Sequence, residues 1–161
     1  MMQGLAIDDK KNICVSTDDY FYIYNIEGRL LKAWSLTNNS HMEPRSRSIS
    51  FYKNEIYMVD NSFNCVRVYS YEGKLIRCWG NFGEEPGNFK NPWGIAIYQN
   101  IVFIVDSGNY RIQAFTSDGK FIFKHEYDKS MYLLDIIIFN DYAYLNNWEK
   151  TLIMRFKVMY S

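Results

Sequence analysis

The sequence predicts an all-β chain, a β-propeller of about four four-stranded blades in an incomplete or open ring. Three observations lead there. The turn glycines Gly28, Gly73 and Gly119 lie 45 and 46 residues apart, each between an acidic and a basic residue. Asp60 and Asp106 lie 46 apart, and each closes an apolar run. Trp34 and Trp79 lie 45 apart. A repeat of about 40–50 residues carrying four short strands is the blade pattern.

Residues 92–124 form the most complete unit. Gly94 precedes an apolar run at 95–97, and a second run, 101–105, ends in Asp106-Ser107-Gly108-Asn109. A third run, 111–115, stops at Asp118-Gly119, and a fourth covers 120–124. Four strands and three turns make an antiparallel meander. An acidic residue followed by glycine suits a tight hairpin, because glycine takes positive φ without a Cβ clash. The run 101–105 is apolar on both faces, as a strand buried between blades should be. The run 111–115 alternates, with Ile112 and Ala114 opposite Arg111 and Gln113. That alternation predicts a place nearer the outside. A blade buries its faces only against another blade, so one unit alone is unstable.

The other units repeat this one with substitutions. Unit one covers 4–34, with strands at 4–7, 13–15, 21–24 and 29–33. Residues 35–46 read as a polar loop, and the charge pair Arg45 and Arg47 at its end reads as solvated charges or, on the sharper reading, phosphate contacts. Unit two covers 48–80, with strands at 48–51, 55–59, 65–69 and 74–79. A loop rich in Gly, Asn and Pro fills 81–92. Unit four covers 133–160, with strands at 135–139, 142–145 and 151–156 and the start of a fourth at 157–160. The whole of 1–161 reads as one propeller-type domain.

Composition narrows the function classes. A chain of 161 residues can bury one core. Its 18 basic and 18 acidic residues leave no net field toward nucleic acid or an anionic membrane. Fourteen Tyr and eleven Phe favour strands. Cys14, Cys65 and Cys78 are odd in number and form no CxxC pair, which argues against a disulfide framework or zinc knuckle and for a reducing compartment. The first residues are acidic where a signal peptide needs an apolar core, and no run approaches the ~20 apolar residues of a membrane span. The expectation is a soluble, cytoplasmic or otherwise intracellular protein with no membrane contact.

Residues 83–122 closely resemble the NHL repeat. Gly87, Phe89, Pro92, Gly94, Asp106, Ser107, Asn109, Arg111, Ile112, Gln113 and Phe115 match its pattern. In unit two Asp60 stands, while Phe63 replaces the asparagine and Cys65 the arginine. Units one and four keep the strand rhythm and lose the signature. The resemblance implies a propeller, usually six-bladed, that serves as a binding platform for proteins or single-stranded RNA. It also implies that the loop entering each blade and the turn after its second strand share the binding face. Here that face would comprise Asn91, Trp93, Ser107, Gly108, Asn109, Tyr110 and Arg111, with Asn61, Ser62 and Phe63 from unit two. Asp60, Asp106, Gly28, Gly73 and Gly119 belong to the structural signature. Four units fall short of the usual ring. The outcomes are a fragment or decayed copy of a longer propeller, an unusually small ring, or an open array that closes by oligomerising; the fragment-like or open reading ranks first.

Individual residues carry little chemistry. Asp106 should accept backbone N–H groups within its own turn, and Arg111 should tie its blade to a neighbour or to the turn. His41 and His125, the only histidines, fall outside the inner strands, unlike the metal-binding histidines of propeller lyases related to the family. There is no Gly-x-Ser-x-Gly elbow and no phosphate loop. Asp18-Asp19 and Glu84-Glu85 read as solvated turns. The expected protein is a non-catalytic interaction module, with no metal and no cofactor, and a protein partner. The alternatives are a single-stranded RNA face using Trp93, Tyr110 and Arg111, and the remnant of a propeller lyase or hydrolase. Open sheet edges also invite self-association.

Overall fold

The structure, a computed structural model, describes residues 2–36, 45–148 and 153–158. Within them each apolar run pairs with its neighbours in sequence, giving four antiparallel sheets. Blade 1 holds β1 (Met2–Ile7), β2 (Ile13–Thr17), β3 (Tyr20–Tyr24) and β4 (Leu30–Ser35). Blade 2 holds β5 (Ser46–Tyr52), β6 (Glu55–Asp60), β7 (Cys65–Ser70) and β8 (Leu75–Trp79). Blade 3 holds β9 (Pro92–Tyr98), β10 (Ile101–Asp106), β11 (Arg111–Thr116) and β12 (Phe121–Glu126). Blade 4 has three described strands, β13 (Leu133–Phe139), β14 (Tyr142–Asn147) and β15 (Ile153–Lys157). The first hairpin of blades 2, 3 and 4 turns on Lys53-Asn54, Gln99-Asn100 and Asn140-Asp141, each with positive φ at both residues. That turn twist matches the twist of paired strands.

The core lies between blades. Phe21 and Ile23 of blade 1 meet Ile49, Ile56 and Met58 of blade 2. Tyr57, Val59 and Val68 of blade 2 meet Ile95, Ile104 and Phe115 of blade 3. Phe103, Val105 and Ile112 of blade 3 meet Leu133, Ile136 and Leu145 of blade 4. Each such side chain contributes about 1.5–3 kcal/mol when fully buried, so a blade without neighbours loses most of its stability.

The inner strands β1, β5, β9 and β13 pack side by side in that order, around a space of about 240 Å³ lined by all four. Among the described residues the sheets do not close into a ring: β1 and β13 are not packed together as their neighbours are.

The 45-residue landmarks acquire a cause. A Cβ on Gly73 would come within 2.6 Å of the Trp34 ring, and one on Gly119 within 2.7 Å of the Trp79 ring. Each tryptophan, at the end of one blade, lies against the turn glycine of the next. Gly28 opens the series, and a Cβ there would meet nothing within 4 Å.

Two expectations are corrected. β11 is buried on both faces, not near the outside, because Arg111 and Gln113 sit on a buried carboxylate. The outer strand is β12, exposed throughout. Arg47 is no loop charge. It lies in β5, with its guanidinium 4.5 Å from the Trp93 ring centroid. His41 lies outside the described residues.

Candidate functional site

One pair of bonds recurs in three blades. The residue entering the blade is Arg45, Lys90 or Tyr132. Its N–H donates to the side chain that ends the second strand: Asp60 at 3.2 Å, Asp106 at 2.7 Å, Asn147 at 3.3 Å. Its C=O accepts an N–H from the turn that follows: Asn61 at 3.0 Å, Gly108 at 2.8 Å, Trp148 at 2.9 Å. This clasp brings the entering loop and the turn after the second strand to one end of the sheet. It requires an acceptor at that register position, which is why the strand ends in Asp or Asn. In blade 1 the position is Thr17, whose hydroxyl instead accepts the Tyr20 N–H at 2.9 Å.

Asp106 is fully buried and accepts from Lys90 N, Asn109 Nδ2, Arg111 Nε and Gln113 Nε2 at 2.7–3.0 Å. Its donors are thus not the amides of its own turn, and the Asx-turn expectation fails at Asp106, although Asp60 does accept the Ser62 and Phe63 amides. Burial pushes the Asp106 carboxyl above the ordinary aspartate range, against the lowering pull of the Lys90 amide, Asn109 and Arg111. A buried pair of this kind adds little net stability while intact, but breaking it strands a charge.

Arg111 spends its other donors on the carbonyls of Glu84, Glu85 and Asn88 at 2.6–3.0 Å. It therefore holds the 81–90 loop on blade 3. Arg111 is 3% exposed, and Ser107 is fully buried with its hydroxyl on the Leu133 carbonyl at 2.6 Å. Both were candidates for the face, and both are interior ties. Asn109 is half-buried and engaged with Asp106 and the Gly83 carbonyl.

Of the remaining candidates, Asn61 and Asn91 are joined directly. Asn61 Nδ2 donates to the Asn91 side chain and to the Pro92 carbonyl, and Asn91 Nδ2 donates to the Tyr132 hydroxyl. This chain of contacts joins blades 2, 3 and 4. Trp93 lies under Arg47, and Phe63 packs 4.9 Å from the Arg67 guanidinium. Tyr110 meets Tyr127 edge-on at 6.4 Å and borders a polar hollow of about 440 Å³ with Lys90, Lys124 and Lys129. Sequence reasoning missed Phe82 and Trp148, which are 70% and 73% exposed at this end. Trp148 was legible in principle, since it follows the blade 4 counterpart of Asp60 and Asp106.

Cys14, Cys65 and Cys78 are free thiols. A hydrogen bond from Cys65 and the nearby Arg67 charge draw the Cys78 thiol down to about 7. His125 lies on exposed β12. Among the described residues no three His, Cys, Asp or Glu side chains are grouped so as to hold a metal, and no helix is long and apolar enough to cross a membrane.

Sheets stacked face to face around an axis, with loops and turns gathered at one end, define a propeller-type β module. Comparison with solved structures agrees. A streptogramin B lyase superposes with TM-score 0.74 at 15% identity, over 97% of this chain and 51% of that one. The computationally designed Ika4 protein gives TM-score 0.66 at 13% identity, over 99% and 92%. BamB from Moraxella catarrhalis gives TM-score 0.66 at 11% identity, over 98% and 47%. At these identities the likeness is one of fold. No family model matches. Protein brain tumor of Drosophila melanogaster is 40% identical over 47 residues, 29% of this chain. The chain thus spans only 4% of that protein's length and about half of the lyase and BamB chains.

Proposed function

We propose that the chain is a non-catalytic interaction module of NHL type, and that its loop face binds a protein partner. The observation that carries this reading is the composition of the face. The loops and turns at this end carry exposed Phe82 and Trp148 and half-buried Phe63, Trp93, Tyr110 and Tyr132. Aromatic anchors within a polar rim are the usual source of protein-binding energy. Most cations here have protein partners: Arg67 with Asp60, Lys90 with Glu84, Lys124 with Glu126, Arg47 with Gln3 and Trp93; Arg45 and Lys129 are exposed. A single-stranded RNA site would instead direct cations outward, beside open rings. BamB acts as a structural precedent in fold, and the brain tumor segment in sequence, for the module alone.

The test is photo-cross-linking in cells from a reactive residue placed at position 110. Protein adducts that fall at least about thirtyfold on Trp148→Ala with Phe82→Ala are expected, since one such anchor alone contributes about 2 kcal/mol. RNA adducts with the same dependence would replace this reading by the RNA one.

A further inference from the structure

The three contacts between blades repeat one geometry, and the chain carries both halves of a fourth. Alternate residues of each inner strand face opposite neighbours. Ile49, Ile95 and Ile136 share one register position and are 2–4% exposed against the preceding blade. Leu5 holds that position in blade 1 and is 60% exposed, with Ile7 beyond it at 66%. Ala96, one step along, is buried against blade 4. Its counterpart Ile137 is 62% exposed, with Phe139 at 63%. Blade 1 therefore presents the surface that blades 2, 3 and 4 bury, and blade 4 presents the surface that blades 1, 2 and 3 bury. The exposed apolar groups lie on blade faces as well as on the sheet edges that the sequence pointed to.

The second and third strands continue both surfaces. Beside Leu5, Tyr20, Tyr22 and Tyr24 form a stacked ladder, with centroids 5.9 and 6.1 Å apart. On blade 4, Arg155 occupies the register position of Ile23, Val68 and Ala114, which are buried in the internal contacts. Its guanidinium lies 4.5 Å from the Tyr142 ring. In a fourth contact of the same geometry, Arg155 would meet the tyrosine ladder, and a cation over ring faces is attractive.

We propose that a second copy of this chain covers both surfaces. Blade 4 of each copy packs on blade 1 of the other, closing a ring of eight blades. Each free face continues the series of internal contacts, and its counterpart in that series is the other free face of the same chain. A head-to-tail contact that closes leaves neither face in water, whereas an open stack leaves one at each end. This is independent of what the loop face binds.

Sedimentation or light scattering of the 161-residue chain tests the proposal. The expected mass is twice 19.2 kDa. Superposing the internal contacts sets Leu5 against Ile137 of the other copy. Leu5→Lys alone and Ile137→Glu alone should each halve the mass, and mixing the two variants should restore it, because one contact gains an ion pair and the other is unaltered. Ile7→Lys with Phe139→Glu supplies a second pair, should either variant of the first misfold. A single-chain mass for the unaltered protein at about 100 µM, well above the Kd of an ordinary stable contact, overturns the proposal. So does a double mass that neither substitution lowers, failure of both mixtures to restore it, or growth to three or more copies.

Discussion

Blades 2 and 3 bury the same aspartate in different ways. Asp60 and Asp106 are both fully buried and each carries the clasp to the entering loop. In blade 3 the other donors are side chains: Asn109, Arg111 and Gln113. In blade 2 they are the Ser62 and Phe63 amides at 3.1 and 3.3 Å and Arg67 Nε at 2.7 Å. The arginine has moved two residues along the strand, to the place that Gln113 holds in blade 3, and it stays on the same face. A buried carboxylate needs donors from all sides, and the strand offers two positions from which an arginine can reach it. Loss of the repeat signature in blade 2 is therefore not loss of the arrangement. What the signature arginine adds is reach: from Arg111 it grips the 81–90 loop.

The two sites should break unequally. Asp106→Ala leaves Arg111 buried and uncompensated, a loss of about 3–5 kcal/mol. The side chain of Arg67 is 17% exposed and its charge finds water, so Asp60→Ala should cost about 1–3 kcal/mol, mostly in unpaired amides. Urea unfolding of the two variants measures the gap, and equal losses would end the distinction. A smaller contrast concerns the turns. Gly119→Ala meets both positive φ and the Trp79 ring and should cost about 2–3 kcal/mol. Gly28→Ala meets only the φ of +81° and should cost about 1 kcal/mol. Thermal melts that rank them the other way would show that the tryptophan yields freely.

Phe63→Asn restores the signature residue to blade 2. It trades stacking on Arg67 for a side-chain donor to Asp60, and the net change should stay within about 1 kcal/mol. The smallest effect is on Cys78, which pairs across the strands with Arg67. Its alkylation by iodoacetamide should be half-maximal near pH 7, since the thiol is drawn down to about 7. The thiolate is favoured by the donated Cys65 hydrogen bond and the guanidinium, so Arg67→Gln should move the midpoint upward. An unmoved midpoint would leave Cys65 as the sole cause.

Much of the fold was legible in the sequence, because strand rhythm and turn glycines are local properties. The apolar run of β10 announced burial on both faces. Trp34 and Trp79 kept the period of the glycines because each rests on the next blade's turn. The site was less legible. Ser107 looked like a surface residue, since a polar side chain in a turn carries no mark of the buried group it serves; Arg111 read both as a face residue and as a tie, and its bonds to Asp106 and the 81–90 loop are those of a tie. Asn147 escaped notice because blade 4 enters through a shorter loop, which places it 41 residues after Asp106 rather than 46. The misjudged exposure of β11 has the same root: Arg111 and Gln113 read as an outward face, yet they point at Asp106.

The clasp explains how the blades tolerate connections of different length. It is closed by one main-chain N–H and one C=O of the residue at the doorway of the blade, so it takes no account of the side chains upstream. The connections arriving there run over 36–45, 80–91 and 127–132, and each is admitted in the same way. Ahead of Lys90 the connection is itself tied down, since Phe89 is fully buried and the Asn88 carbonyl accepts from Arg111 and Gln113. The exposed residues 128–130, ahead of Tyr132, are where a new recognition loop could be built onto the scaffold.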